Sequence, residues 1–485
     1  VKSQSALNSE IDTNLPSGQA NTAVAVRGIL HDIVNSSAIL LDQKRVDITA
    51  YGGKGDNLTD NTPAYNAAIA GFPASTTGKC IYFPAGKYLF STTPNTWSTT
   101  SSTDSLVIVG DGAEATELTF PTVGIGFNIN LQSQQNSIHF KDFSITTGTA
   151  GASGGYAIQV NQGQATSTPG YGPVSEISGI AVRGNGGYSI GPNYWTTGVI
   201  INGLNNINWI GDIFHGPGPP SLWQTLGTGV IVQGTSSTFP VAHNFIGSTF
   251  NLLGTGVVYG NYTQGLAFTS CNFTGVTYGI RAPPGLVNQA ELAVVGCQFN
   301  AGGSNGGGVR LESSMSQVTI NGSTFYMDPA NSVGIALEVG IGGFSIINNV
   351  FVILHNGSTN NGVAVQEAVT WSSVISGNVF YNSDSTPAGT GIFLQSGSTK
   401  VLITGNTFSN LGNNIVNSGT NHLIYGNYPE YLYTIASLPT PSAALIGQAV
   451  KISNGVASPT YNAAVGTTGS TISSVLCDGA SWRYH

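Results

Sequence analysis

The chain has 485 residues, a formal net charge of −8 and only 14 Lys and Arg, which excludes the basic stripe that nucleic-acid binding requires. Charged residues are 7% of the chain against ~25% in ordinary globular proteins, while 66 glycines and 40% apolar residues describe a turn-rich β protein with more apolar side chains than disordered chains carry. No run of about 18 apolar residues appears, so no membrane span is expected, and Cys80, Cys271, Cys297 and Cys477 are too scattered for a metal site or a disulfide scaffold.

Residues 1–45 read as a helical head. The opening VKSQSALNSE lacks the apolar core of a signal peptide. In TAVAVRGILHDIVNSSAILL, Val26, Ile29, Leu30 and Ile33 share one face at helical spacing. That face needs a partner: its own solenoid as a cap, a second copy, or a larger particle. Its position ahead of the apparent start of the fold favours assembly.

The fold is expected to begin in DITAYGGKGDNLTDNTPAYNAAIA, residues 47–70. This stretch resembles the amino-terminal signature of the pectate-lyase-like superfamily: a strand, a Gly- and Asp-rich loop, then a helix. KCIYFPAGKYLFS at 79–91 and LVIVGDGAEATEL at 106–118 continue the likeness. The resemblance implies a right-handed parallel β-helix over residues 46–430. Asp56 and Asp60 sit in the loop before the helix, where such side chains cap unpaired N–H groups, so they are assigned to structure. The helix, roughly 62–71, is expected to cover the open end of the solenoid.

Between 120 and 250 the pattern is less regular, and two loops are rich in aromatics: GYSIGPNYWTTG and HGPGPPSLWQTLG. They supply Tyr188, Tyr194, Trp195 and Trp223, with Trp209 on a neighbouring strand. Beside a polar groove these rings suit a sugar face; packed inward they fill space. Both readings stand. Asp212 falls in an inward column, where a turn-ladder role competes with a second-rank catalytic one, and its neighbour His215 points outward.

From 273 to 408 the repeat is explicit. Phe273, Phe299, Phe325, Phe351, Phe380 and Phe408 close similar phrases at intervals of 26, 26, 26, 29 and 28 residues, the period of a stacked solenoid. A second phrase recurs between them: GVIVQ, GVVYG, GVRLE, GIALE, GVAVQ and GIFLQ. Two or three short strands per coil of this length is the arithmetic of an all-β parallel solenoid. Cys271 and Cys297 share an inward column one strand spacing, ~4.8 Å, apart. Their side chains point the same way, so stacked thiols are expected rather than a disulfide.

The candidate site follows from the same register. If the apolar residues of GVRLE and GIALE face inward, Arg310, Glu312 and Glu338 face outward. Glu312 and Glu338 each lie 13 residues after their phenylalanine and therefore share a column, in which the other coils carry Gln159, Asn202, Gln233, Gly260, Pro283, Gln366 and Gln395. Two carboxylates at strand spacing repel, and repulsion raises one pKa, giving an acid beside a base or nucleophile. Such a pair suits glycoside cleavage, retaining or inverting. Arg281 and Arg310 form a second outward column that can bind an anionic sugar or hold a carboxylate. The competing reading is a solvated patch in which Arg310 offsets the glutamates. Glu367 lies near this face, shifted by one residue. No His or Asp cluster has ligand spacing, so no metal or other cofactor is expected.

Residues 431–485 read as a Pro-containing linker and a small β module, resembling the short carboxy-terminal modules of phage tail proteins. Head, pectate-lyase-like body and foot together resemble a phage or prophage tailspike. That resemblance implies a homotrimer on a virion tail, held through residues 1–45, that binds and depolymerises a bacterial surface polysaccharide. Glu312 and Glu338 are the expected catalytic pair of a glycoside hydrolase. A polysaccharide lyase and a non-catalytic glycan-binding fibre are the alternatives.

Overall fold

In the computed structural model the described residues are 45–485, except 73–77, 100–101, 123, 151–154, 164–171, 190, 218–225, 302, 329, 355–359, 367–372, 430, 443–444, 456–462, 466–468 and 470. The head helix expected within 1–45 lies outside them, as do Trp223 and Glu367. Among the described residues no helix is long and apolar enough to cross a membrane.

The body is a parallel β-solenoid of about 11 turns. Each regular coil contributes one strand to each of three sheets, of 14, 13 and 12 strands. They are called here the first, second and third sheet. Coils stack in register because the ruler phenylalanines stack: Phe273 pairs with Phe299, Phe299 with Phe325, and so on to Phe408. Their ring centroids lie 4.6–5.1 Å apart and nearly parallel. The column runs two coils further than the repeat shows in sequence, through Phe250 and Phe214. Each ring is fully or almost fully buried, and burial of one phenylalanine contributes about 1.5–3 kcal/mol.

The recurrent glycine of the second phrase has a steric origin in this column. A Cβ at Gly308 would stand 2.5 Å from the Phe325 ring, and one at Gly279 would stand 2.6 Å from Phe299. With glycine opposite each ring, Val309 and Leu311 fall inward with no exposure and Arg310 outward. The strand alternation is thereby anchored to the ruler.

A second inward column satisfies backbone at the corner between the first and second sheets. Ser323 N–H donates to Asn349 Oδ1, Asn349 N–H to Asn378, Asn378 N–H to Asn406 and Asn406 N–H to Asn427, at 2.9–3.0 Å. Cys271 and Cys297 occupy this column as free, buried thiols, with the Cys271 N–H directed at Cys297 Sγ at 3.4 Å.

The amino-terminal end is closed by the helix Thr62–Gly71, whose Tyr65 is fully buried against Phe90, Trp97 and Phe127. Asp60 Oδ1 accepts from the Thr62 N–H and hydroxyl and from the Ser91 N–H. Asp56 accepts from Thr59 and Leu58 N–H groups, which hold its carboxyl down at about 2. Both acids serve the loop, as expected. At the other end a four-stranded sheet, formed by Leu432–Tyr433, Ala449–Gly455, Thr471–Cys477 and Trp482–Tyr484, packs against the last coil. Tyr433 joins the two: its hydroxyl accepts from Ile424 N–H and donates to the His422 carbonyl.

Candidate functional site

On the outer face of the third sheet, Arg281 pairs with Arg310. Leu311 pairs with Leu337 one residue before Glu312 and Glu338, so the two glutamates are neighbours on adjacent coils. Glu312 Oε2 accepts from Arg281 Nε at 2.6 Å. Arg310 Nε lies 3.3 Å from Glu312 Oε1 and 2.8 Å from Glu338 Oε1, without hydrogen-bond direction toward either oxygen. Its Nη1 donates to the Asn305 carbonyl at 3.0 Å. The result is an alternating row of positive and negative groups.

This row corrects the expected electrostatics. The bare repulsion between Glu312 and Glu338 is absent, because the Arg310 guanidinium stands against both carboxylates. All four side chains are partly shielded from solvent, Glu312 most, at 12% exposure. Burial works against the charge of Arg281, but the Glu312 hydrogen bond and charge outweigh it and raise its pKa. Tyr278, which the sequence reading missed, floors the row: Arg281 Cζ lies 4.5 Å and Arg310 Cζ 5.6 Å from its ring centroid. Its signal was its place in the outward column that begins each GV phrase, where Thr255 precedes it and Gly307 follows.

The same register corrects one member of the glutamate column. Gln159 pairs with Ile200, and it is Asn161 that pairs with Asn202. Asn130, Asn161, Asn202 and Gln233 then form an outward amide ladder with bonds of 2.8–3.0 Å.

Other expected site residues lie elsewhere. Trp209 is fully buried and stacked on Phe245 at 4.9 Å. Trp195 is buried, edge-on to Phe120, with its Nε1 donating to the Ile145 carbonyl, and Tyr194 is buried. None of the three offers a face to a sugar. Asp212 is also fully buried. Its Oδ1 accepts from Ile180 N–H at 3.1 Å, Oδ2 has no partner, and burial pushes the carboxyl well above its ordinary range. It is a member of the inward turn ladder and cannot touch a polymer.

A second polar cluster, not foreseen as a unit, lies on the outer face of the second sheet. Glu117 stands between Lys87 at 3.4 Å and Arg183 at 3.5 Å and accepts from Thr146 and Thr119 hydroxyls. Beside it His215 lies under the turn carrying Tyr188, whose hydroxyl donates to Glu114 at 2.6 Å. Glu117 and Arg183 are 66 residues apart in sequence, across the irregular coils, so no repeat announced their contact.

Residues 45–168 match the family described as rhamnogalacturonase A/epimerase, pectate lyase-like, and residues 213–440 match that described as periplasmic copper-binding protein NosD. No curated protein matches the sequence. The catalytic unit of the thermostable GH87 alpha-1,3-glucanase from Streptomyces thermodiastaticus is similar with a TM-score of 0.50 at 14% identity, covering 79% of this chain and 68% of that one. The A-module of mannuronan C-5 epimerase AlgE4 from Azotobacter vinelandii gives 0.48 at 15% identity, covering 78% of this chain and all (100%) of that one. Bacteriophage CBA120 tailspike protein 3 gives 0.39 at 12% identity, over 93% and 73% of the two chains. At this identity the glucanase likeness is one of fold. Among the described residues no three His, Cys, Asp or Glu side chains gather as metal ligands.

Proposed function

We propose that the protein binds and cleaves a bacterial surface polysaccharide by glycosidic hydrolysis, on the outer face of the third sheet. What carries the reading is the row Arg281, Glu312, Arg310, Glu338 over the Tyr278 ring. A chain with 7% charged residues concentrates two acids and two bases on consecutive coils, half-shielded and facing outward. The pectate-lyase-like match and the glucanase likeness in fold support a polysaccharide as the ligand class.

In this reading Glu312, fixed by the directed bond from Arg281, is the stationary carboxylate that acts as base or nucleophile. Glu338 meets only the undirected contact from Arg310. A sugar that draws the Arg310 guanidinium to its own oxygens leaves Glu338, beside Glu312, to take up a proton from solvent and deliver it to the leaving glycosidic oxygen. The protein acts as a homotrimeric tailspike on a virion tail, with residues 1–45 as the attachment. A second reading, elimination from a uronic acid, draws on Arg281 and Arg310 as partners for the sugar carboxylate.

The test is a panel of purified capsular and exopolysaccharides with products read by mass spectrometry. Glu312→Gln and Glu338→Gln are each expected to lower cleavage at least about 100-fold, the usual scale for removing an acid or base, with folding unchanged. Full activity in both variants removes this site. Products carrying the unsaturated-uronate absorbance decide for the lyase, and intact polymer throughout decides for a glycan-binding fibre.

A further inference from the structure

The cluster on the second sheet contains a cavity that the proposed reaction does not use. It has a volume of about 40 Å³ and is lined by the turn residues Gly184–Gly187, by Asn185 and Asn193, and by His215. The turn is glycine-rich, with Gly187 at φ +76°, so its backbone encloses a space that side chains would fill.

His215 is 5% exposed, and its Nε2 makes no hydrogen bond. The other ring nitrogen, Nδ1, lies 2.9 Å from the Gly216 carbonyl. A carbonyl only accepts, so Nδ1 carries the proton and Nε2 presents a lone pair. Burial, helped by the nearby Arg183 charge, lowers the imidazole pKa below its ordinary value, against the raising effect of the Gly216 and Tyr188 backbones. The ring is therefore a neutral acceptor with an unused lone pair in a polar cavity. An unmet buried acceptor carries a desolvation cost that a donating ligand group relieves.

At the rim stands Tyr188, 41% exposed, its ring centroid 6.0 Å from that of His215. Its hydroxyl is tied to Glu114 and Arg183 lies 5.2 Å from the ring centroid, so the ring is held in place. The charges around the cavity balance: Lys87 and Arg183 against Glu114 and Glu117. A neutral ligand suits this better than an anion.

We propose that this cluster is a second carbohydrate-binding site, in which one face of a neutral sugar residue packs on the Tyr188 ring and a hydroxyl of that residue enters the cavity to donate to His215 Nε2. The volume admits a hydroxyl or hydroxymethyl group and not a whole pyranose ring. The site lies on a different sheet from Glu312 and Glu338. It serves as a distal anchor for a long polymer and does not depend on which residues cut.

The probes are methyl α-D-glucopyranoside, methyl α-D-galactopyranoside and N-acetylglucosamine, titrated into the full chain while the His215 imidazole resonances are followed by NMR. At least one probe is expected to shift them saturably. Tyr188→Ala, at a half-exposed position, is expected to weaken that binding by about tenfold, the scale of one aromatic stacking contact. Tyr188→Phe, which keeps the ring and loses only the bond to Glu114, is expected to retain it within about threefold. No shift with any probe, or a shift that Tyr188→Ala leaves unchanged, overturns the proposal. The readout is local to His215, so a failure of the Glu312 and Glu338 assignment leaves it standing, and the converse also holds.

Discussion

Two columns of amides run along this solenoid and do opposite work. Inside, Asn349, Asn378, Asn406 and Asn427 are buried, and each carboxamide bonds backbone as well as its neighbour in the column. Asn378 accepts from Asn349 N–H and Nδ2 and donates to the Ile346 carbonyl and to Asn406 Oδ1. Outside, Asn130, Asn161, Asn202 and Gln233 bond to one another and remain half-exposed. An amide with two donors and two lone pairs is exhausted in the first column; in the second Asn161 alone makes four bonds, all to side chains, while Asn130, Asn202 and Gln233 are only partly used. The difference separates groups that hold coils in register from groups left with capacity for solvent or ligand. Glu312 and Glu338 continue the second column.

The largest effect that sharpens this contrast comes from acid. Two histidines belong with the inward polar groups: His243 bonds the Leu204 carbonyl, and His422 accepts from Val401 N–H and meets Ser398. Burial lowers both to about 4 from 6.5. Between these values the unfolded chain binds protons that the folded chain refuses, so stability falls as pH drops from about 6.5 toward 4. Each histidine accounts for roughly 3 kcal/mol over that window. Urea titrations at pH 7 and pH 4.5 are expected to show a clear loss of midpoint, reduced in His422→Gln. An unchanged midpoint places these rings outside the ladder's energetics.

Next in size is a direct comparison of the columns. Asn378→Ala strands the Asn349 N–H and the Ile346 carbonyl in the interior and is expected to cost about 3 kcal/mol. Asn202→Ala leaves its partners to water and is expected to stay within about 0.5 kcal/mol. Equal costs in chemical denaturation erase the distinction.

The ruler made this much legible from sequence alone. Because every ring faces a glycine, the phase of each coil is fixed from Phe273 to Phe408, and counting places Arg281 beside Arg310 and Glu312 beside Glu338. Counting does not give side-chain rotamers, so the Arg310 guanidinium between the glutamates and the Tyr278 floor stayed hidden. Phase was also lost across the long insertion near residue 163, which put Gln159 where Asn161 stands. Trp209 was misread although its signal was present. It lies five residues before Phe214, as Phe245 precedes Phe250 and Phe268 precedes Phe273, and that spacing marks a second inward stack. The contact between Glu117, Arg183 and the Tyr188 turn joins three irregular coils and left no periodic trace.

Asp212 supplies the smallest and most diagnostic test. It occupies the inward column two residues before Phe214, where Asn349 stands before Phe351, and like Asn349 it accepts a backbone N–H from the preceding coil. Asn349 also donates through Nδ2 to the Ile320 carbonyl, a bond for which a carboxylate has no hydrogen. Asp212 Oδ2 is accordingly left unpaired, and burial raises the carboxyl well above 3.8. A raised folded pKa means that the carboxyl costs stability as pH rises through it and costs none below the unfolded value. Asp212→Asn replaces the ionisable group, keeps the acceptor and adds the missing donor, so it is expected to stabilise the protein by about 1–2 kcal/mol at pH 7. The gain should shrink as pH falls through and below 3.8, because the wild-type carboxyl is then neutral in both states. A loss of stability at pH 7 would mean that the aspartate is held by something other than the ladder.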